Sequence, residues 1–293
     1  MADVVSGYNI LSKLGEGARS QVYQVVHPST GQVFAVKRVL REAGEDTRYL
    51  DQAINEYNIA AKMRHPTLRK AFELKRIRKL LRLVEIQVFM EFVDGTSLDK
   101  ARPARLERTV EIFLRVGDGL QAMHDEGFLH ADIKPNNILL AYKGDVRIID
   151  FGQCCEIGFR KPRIQGTPDY IAPEQVERLE LTPQTDIFNF GATLYWALTG
   201  QTFATVLAKG KKKAEPRKAA PSPEPATINQ DVPRDLSRLI MECCEHNRAD
   251  RPRTMKDVLA RLGAFLPPPA RGKNEQAAPS AARSAAAPSD IEN

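Results

Sequence analysis

Asp132, Lys134 and Asn137 stand close together in HADIKPNNILL, and Asp150 follows in IIDFG, 13 residues beyond Asn137. A carboxylate such as Asp132 can accept or orient a hydroxyl proton, and an ammonium two residues on can neutralise charge that grows on a phosphate. Asn137 and Asp150 offer oxygens of the kind a hard cation such as Mg2+ selects. Taken alone, an Asp before Phe-Gly could merely start a turn. The two groups together point to one chemistry, the movement of a phosphoryl group. That reaction asks a protein to hold phosphates, place a metal and align an acceptor hydroxyl.

Residues for the remaining tasks lie upstream. Leu14-Gly15-Glu16-Gly17-Ala18-Arg19-Ser20-Gln21-Val22 puts two glycines between apolar runs, where backbone can approach a phosphate closely. On its own such a stretch is only a hairpin turn, and Ser20 takes the place of the third glycine of a G-x-G-x-x-G. Lys37 ends the run Phe34-Ala35-Val36-Lys37, 22 residues after Gly15. A lysine facing inward from an apolar strand is costly without an anion beside it, and Glu56 is the candidate partner.

These residues need elements to carry them. Alternating or β-branched runs predict strands over 8–14, 20–27, 32–40, 72–78 and 82–92, and a helix over 46–63 follows from Leu50, Ile54, Tyr57 and Ala61. Beyond Asp94-Gly95 the pattern turns helical, with segments over 106–126, 185–198, 235–244 and 255–265. The expectation is an α+β chain: a small β-rich lobe with one helix, then a larger, mainly helical lobe.

Read together, the glycine-rich loop, the Ala-x-Lys strand, the catalytic loop and Asp-Phe-Gly resemble the protein kinase signature set. Gly166-Thr-Pro-Asp-Tyr-Ile-Ala-Pro-Glu174, Asp186 in TDIFNFG and Arg251 in ADRP extend the match over 8–265. The resemblance implies a bilobal kinase fold, with an N-lobe over 8–92, a hinge over 91–95 and a C-lobe over 94–265. It implies ATP in the cleft: Leu14, Gly15 and Gly17 over the phosphates, Val22 and Ala35 roofing the adenine, Leu139 flooring it, Met90 gating the pocket, and Glu91 and Val93 at the hinge. Lys37, held by Glu56, would contact phosphates; Asp132 would act as base beside Lys134; Asn137 and Asp150 would hold Mg2+. Glu174 and Arg251 resemble the buried pair that anchors the activation segment. Lys134 with Gly166-Thr-Pro is the serine/threonine pattern, which implies protein substrates. VDGTSL and NRADRP are similar in texture to bacterial kinases of this type.

Composition bounds the rest. The 293 residues are 42% hydrophobic and 27% charged, ordinary for a globular protein. The longest nearly apolar stretch, 190–198, is too short to span a bilayer, and the N-terminus lacks the basic-then-apolar pattern of a signal peptide. A cytoplasmic protein with no membrane span is the expectation. Four cysteines in two adjacent pairs, Cys154-Cys155 and Cys243-Cys244, do not have zinc-site spacing and read as reduced thiols. The net charge of +6 is concentrated in two patches, 69–82 and 207–220. Without interleaved aromatics the second patch gives no clear nucleic-acid signal; both read as solvated faces, with an acidic partner as the alternative for 207–220. The stretch 207–225 is expected to be a flexible loop, and 266–293, rich in Pro, Ala and Ser, a disordered tail.

Two departures from the family pattern matter. Ala131 stands where most members have the arginine that pairs with a phosphorylated activation segment, and QCCEIGFRKPRIQG (153–166) has no Ser, Thr or Tyr. The expectation is a kinase not switched on by phosphorylation of that segment, with Arg160, Lys161 and Arg163 exposed or docking on an acidic surface. Arg19-Ser20 at the glycine-loop tip suggests weaker ATP binding. Two rival readings stand beside this one, and a third, a binding module acting through the basic loop or the tail, could coexist with kinase activity. A pseudokinase scaffold would lack one of Lys37, Asp132, Asn137 or Asp150. An aminoglycoside-type small-molecule kinase would lack the 166–174 segment.

Overall fold

The computed structural model describes residues 4–17, 19–41, 47–207 and 222–266. The expected tail, the segment 208–221 with most of the basic loop, and Ala18 lie outside the described residues. The N-terminal lobe is one antiparallel sheet in the order β1-β2-β3-β4-β6-β5. Its strands are β1 (Val4–Val5), β2 (Tyr8–Glu16), β3 (Ser20–Val26), β4 (Val33–Leu40), β5 (Ala71–Lys79) and β6 (Arg82–Glu91). The sequence pattern predicts five of these. β1 is two residues long and too short to show a period; it pairs Val4 with Asn9 and Val5 with Tyr8. Helix α1 (Arg48–Ala60) packs on the sheet through Leu50 and Ala53, against Val39, Ile86 and Val88.

The chain then crosses to the second lobe through a small sheet in the order β10-β9-β7, formed by β7 (Gly95–Ser97), β9 (Ile138–Ala141) and β10 (Val146–Ile148). These strands have three or four residues each, and the helical expectation after Asp94 passes over them. A pair of two-residue strands, β8 (Phe128–Leu129) and β11 (Cys155–Glu156), ties the start of the activation segment to the loop before Asp132. Seven helices complete the described residues: α1, α2 (Leu106–Asp125), α3 (Pro173–Val176), α4 (Pro183–Thr199), α5 (Pro225–Ile228), α6 (Arg234–Cys243) and α7 (Met255–Gly263).

Helix α4 explains the apolar stretch 190–198. It is buried nearly all round, and Phe190 stacks edge-on to Phe113 of α2 at 5.2 Å. A helix apolar on every side belongs inside a core or a membrane; no described helix is long and apolar enough to cross a membrane, and α4 is the centre of this core. Gly191 lets α6 approach, since a Cβ there would meet the Cβ of Cys243 at 2.6 Å. All four cysteines are free and buried. Burial pushes Cys155 up to about 11 and Cys243 up to about 12, which leaves them as unreactive thiols at neutral pH.

Candidate active site

The site lies between the lobes and is assembled from five pieces of chain. β4 presents Lys37, and α1 presents Glu56, which is 3% exposed. Lys37 Nζ meets Glu56 Oε2 at 2.6 Å and lies 3.6 Å from Asp150 Oδ1. Burial opposes the lysine's charge, yet the Glu56 and Asp150 carboxylates outweigh it and Lys37 is held above its ordinary value. It is therefore a cation at neutral pH, with its open side toward the cleft.

Asp150 begins a tight turn with φ 65°, in the left-handed region that a non-glycine residue enters only at a cost of about 1–2 kcal/mol. The turn leaves its side chain 45% exposed while β10 and Phe151 stay in the core. Burial would raise its pKa, but Lys37 and nearby cations win and hold the carboxyl below 3.8. Asn137 donates its Nδ2 to the Asp132 carbonyl at 2.9 Å. Its Oδ1 is left without a hydrogen bond among the described residues. Asn137 and Asp150 thus offer an amide and a carboxylate oxygen, a set that suits Mg2+, which takes few protein ligands and completes its shell from phosphate and water. Among the described residues, no cluster of three or more His, Cys, Asp or Glu could hold a metal alone.

Asp132 is fixed from below. Asp186 of α4, fully buried, accepts from the backbone N–H of His130 at 3.0 Å and of Ala131 at 2.7 Å, and pairs with His124 Nε2 at 2.9 Å. The clamp holds Ala131 at φ 58°, and Gln175 donates to the Ala131 carbonyl at 2.8 Å. From above, Thr167 Oγ1 donates to Asp132 Oδ1 at 2.8 Å, and Lys134 Nζ reaches Asp132 Oδ2 at 2.7 Å and Thr167 Oγ1 at 2.8 Å. The three side chains close a triangle. It joins the loop of Asp132 to Thr167, 35 residues on.

A cleft of about 490 Å³ lies between the lobes, over Lys37, Asn137 and Asp150. Leu14, Gly15, Gly17, Val22, Lys37, Glu56, Met90, Asn137 and Asp150, all singled out in the sequence, line it. Asp132, Lys134, Ala35, Glu91, Val93 and Leu139 are not among its lining residues. Ala35 is fully buried in the sheet opposite Met90, and the Glu91 side chain turns to Arg147 at 3.2 Å. Arg69 lines the cleft without having been singled out as a site residue. It counted toward a solvated basic patch, but it is 9% exposed and its Nε donates to the Glu91 carbonyl at 2.9 Å. Nothing in a run of alternating cations marks which one turns inward.

Residues 8–261 match the protein kinase domain family. The chain belongs to that family. Named relatives include the serine/threonine-protein kinase PknK of Mycobacterium tuberculosis, 28% identical over 86% of this chain and 23% of that protein. PknD of Chlamydia abortus is 25% identical over 88% of this chain and 31% of its own length. The probable serine/threonine-protein kinase CPE1738 of Clostridium perfringens is 27% identical over 87% and 38%. The chain thus spans 23% to 38% of the length of these relatives. In this kinase domain Glu174 and Arg251 meet in a bidentate pair, at 2.8 and 3.0 Å, joined by Thr185.

Proposed function

We propose that the chain transfers the γ-phosphoryl group of ATP to serine and threonine hydroxyls of proteins. The observation that carries this reading is that both halves of the site are closed at once: Lys37 on Glu56 and Asp150, and Asp132 on Lys134 and Thr167. Lys37 would bind the α- and β-phosphates, and the backbone around Gly15 and Gly17 would cover them. Asn137 and Asp150 would hold Mg2+, which when bound neutralises phosphate charge. Asp132 would accept the proton of the attacking hydroxyl, and Lys134 would balance charge on the moving group. Belonging to a family whose relatives are named serine/threonine kinases supports the same reading.

Activity would not require phosphorylation of the activation segment. Ala131 is buried and offers no receptor for a phosphate, and 153–166 has no acceptor hydroxyl. Other contacts order the segment. Lys161, expected to be exposed, is instead 5% exposed and donates its Nζ to the Gln153 carbonyl, just past Asp-Phe-Gly, at 2.5 Å. Arg160 pairs with Glu180 at 3.0 Å, and Gly158 N–H donates to the Leu181 carbonyl.

The test is ATP-dependent phosphate incorporation into a protein substrate by wild type, Asp132→Asn and Asp150→Asn, before and after phosphatase treatment. Wild type should retain its rate after phosphatase, and each variant should fall about a hundredfold or more. Equal incorporation by all three would sink the catalytic reading. Loss on dephosphorylation of Thr167 would sink the claim about the segment.

A further inference from the structure

The hairpin of β5 and β6 ends in a turn that neither fold nor catalysis explains. Leu80 is 100% exposed and Leu81 96% exposed. They fill a two-residue turn, with Lys79 paired to Arg82 and Leu80 at φ 54°. Turn chemistry there favours Asn, Asp or Gly. Two leucines go against both the local backbone preference and the hydrophobic effect, and nothing among the described residues covers them.

Their neighbours along the hairpin are of one charge. Between 76 and 82 the chain carries Arg76, Arg78, Lys79 and Arg82 and no acidic residue. All four are exposed, and none makes a side-chain hydrogen bond or ion pair among the described residues. Nearby cations behave otherwise: Lys75 lies near Glu73 at 3.6 Å, and Arg38 is bound to Glu85 at 2.6 Å. Because β5 is the edge of the sheet, cations on it would also guard an unpaired edge. That role accounts for the charge but not for the leucines.

The tip also projects past the neighbouring strand among the described residues. The last register pair between β4 and β6 is Leu40 with Glu85, so Arg82 and Leu83 extend beyond the neighbouring strand. Lys37 is opposite Val88, six residues back from Arg82, or roughly 20 Å along the strand. Whatever takes the tip leaves the cleft open.

We propose that the β5–β6 tip is a membrane wedge: Leu80 and Leu81 insert at the headgroup boundary of a bilayer while Arg76, Arg78, Lys79 and Arg82 meet anionic headgroups. The shape decides for lipid over an acidic protein. The leucines stand on a convex point, which a fluid bilayer closes around, whereas a folded partner needs a matching pocket. Arginine and lysine stems add apolar length while their heads stay at the polar level. Two leucines bury less hydrocarbon than one myristoyl chain, which alone anchors only marginally, so attachment is reversible and depends on anionic lipid.

The test is flotation of the full chain with phosphatidylcholine vesicles, with or without about one third phosphatidylglycerol. Wild type should float with the anionic vesicles only. L80S/L81S should float about tenfold less or weaker still, with melting temperature and phosphate transfer unchanged. R76Q/R78Q/K79Q/R82Q should lose binding similarly, and added salt should weaken wild type. The lysines of 209–218 remain in every variant, so attraction through that segment is common to all. The wedge is overturned if wild type stays unbound, if it floats equally with neutral vesicles, or if L80S/L81S floats as well as wild type. Leucine-dependent retention on immobilised polyglutamate, without flotation, would overturn it in favour of an acidic protein.

Discussion

Two buried ion pairs, one in each lobe, join a basic side chain to a glutamate, and they are built for different ends. Arg251 and Glu174 are closed from water, their side chains 0% and 4% exposed. Arg251 spends its donors on both Glu174 oxygens and on the carbonyls of Gln184, Glu245 and His246. Lys37 and Glu56 share one 2.6 Å contact, with Lys37 18% exposed toward the cleft and Asp150 competing for it. A planar, five-donor guanidinium suits a permanent joint, and a point charge with an open side suits one that must accept a phosphate. The same two charge types thus make a rivet in one lobe and a ligand site in the other.

The largest separation of the two should come from removing each cation. Arg251→Met leaves Glu174 buried without its counter-charge, a loss of about 3–5 kcal/mol, and should lower the melting temperature by roughly 10 °C. Lys37→Met should cost less stability, because burial already raises the Glu56 carboxyl and it can take a proton where Glu174 is held ionised, yet lower phosphate transfer about a hundredfold. Melting curves and initial rates on both variants check this; a Lys37 variant that melts as early as the Arg251 variant would erase the contrast.

Acid should sharpen it. Burial raises the Glu56 carboxyl above its ordinary 4.5, against the pull of Lys37. Burial also acts on Glu174, but the Arg251 hydrogen bonds and charge outweigh it and hold the carboxyl below 4.5. Glu56 therefore takes its proton first as pH falls, and because the folded form binds that proton more readily, this step costs no stability. The Glu174 contribution is present above 4.5 and is lost as pH falls through its lower folded value. ATP turnover should decline before Trp196 fluorescence reports unfolding; simultaneous loss would count against the assignment.

The smallest effect concerns the activation segment. Lys161→Gln removes a charged donor from the Gln153 carbonyl and should cost about 1 kcal/mol of order there, a several-fold fall in kcat with KM for ATP nearly unchanged. Lys161→Arg should restore part of it if a cation is the requirement. A variant as fast as wild type would leave the segment's order to Arg160 and the backbone bonds.

Much of the site was legible because phosphoryl transfer needs chemically particular residues at short spacings. Asp132, Lys134 and Asn137 lie within one loop, and Asp150 is one short hairpin beyond, so their meeting is almost local. Lys37 and Glu56 were readable as a pair for another reason, since an inward lysine requires an anion. The helices 106–126 and 185–198 were visible through their apolar pattern, and α2 and α4 are close to those bounds. The two- and three-residue strands were not, being shorter than any period.

Long-range burial was decided only by the folded chain. Arg69 and Lys161 sit in runs of cations that look alike in sequence, and the fold turns those two inward while leaving Arg78 and Lys79 outside. Thr167 meets Asp132 across 35 residues, and Asp186 fixes Ala131 across 55. Residue type and spacing thus determined which chemistry the chain can carry. Which charges are buried, and how the segment after Asp150 is held, depended on contacts between distant parts of the chain, because a side chain's burial is set by what packs over it and not by its neighbours in sequence.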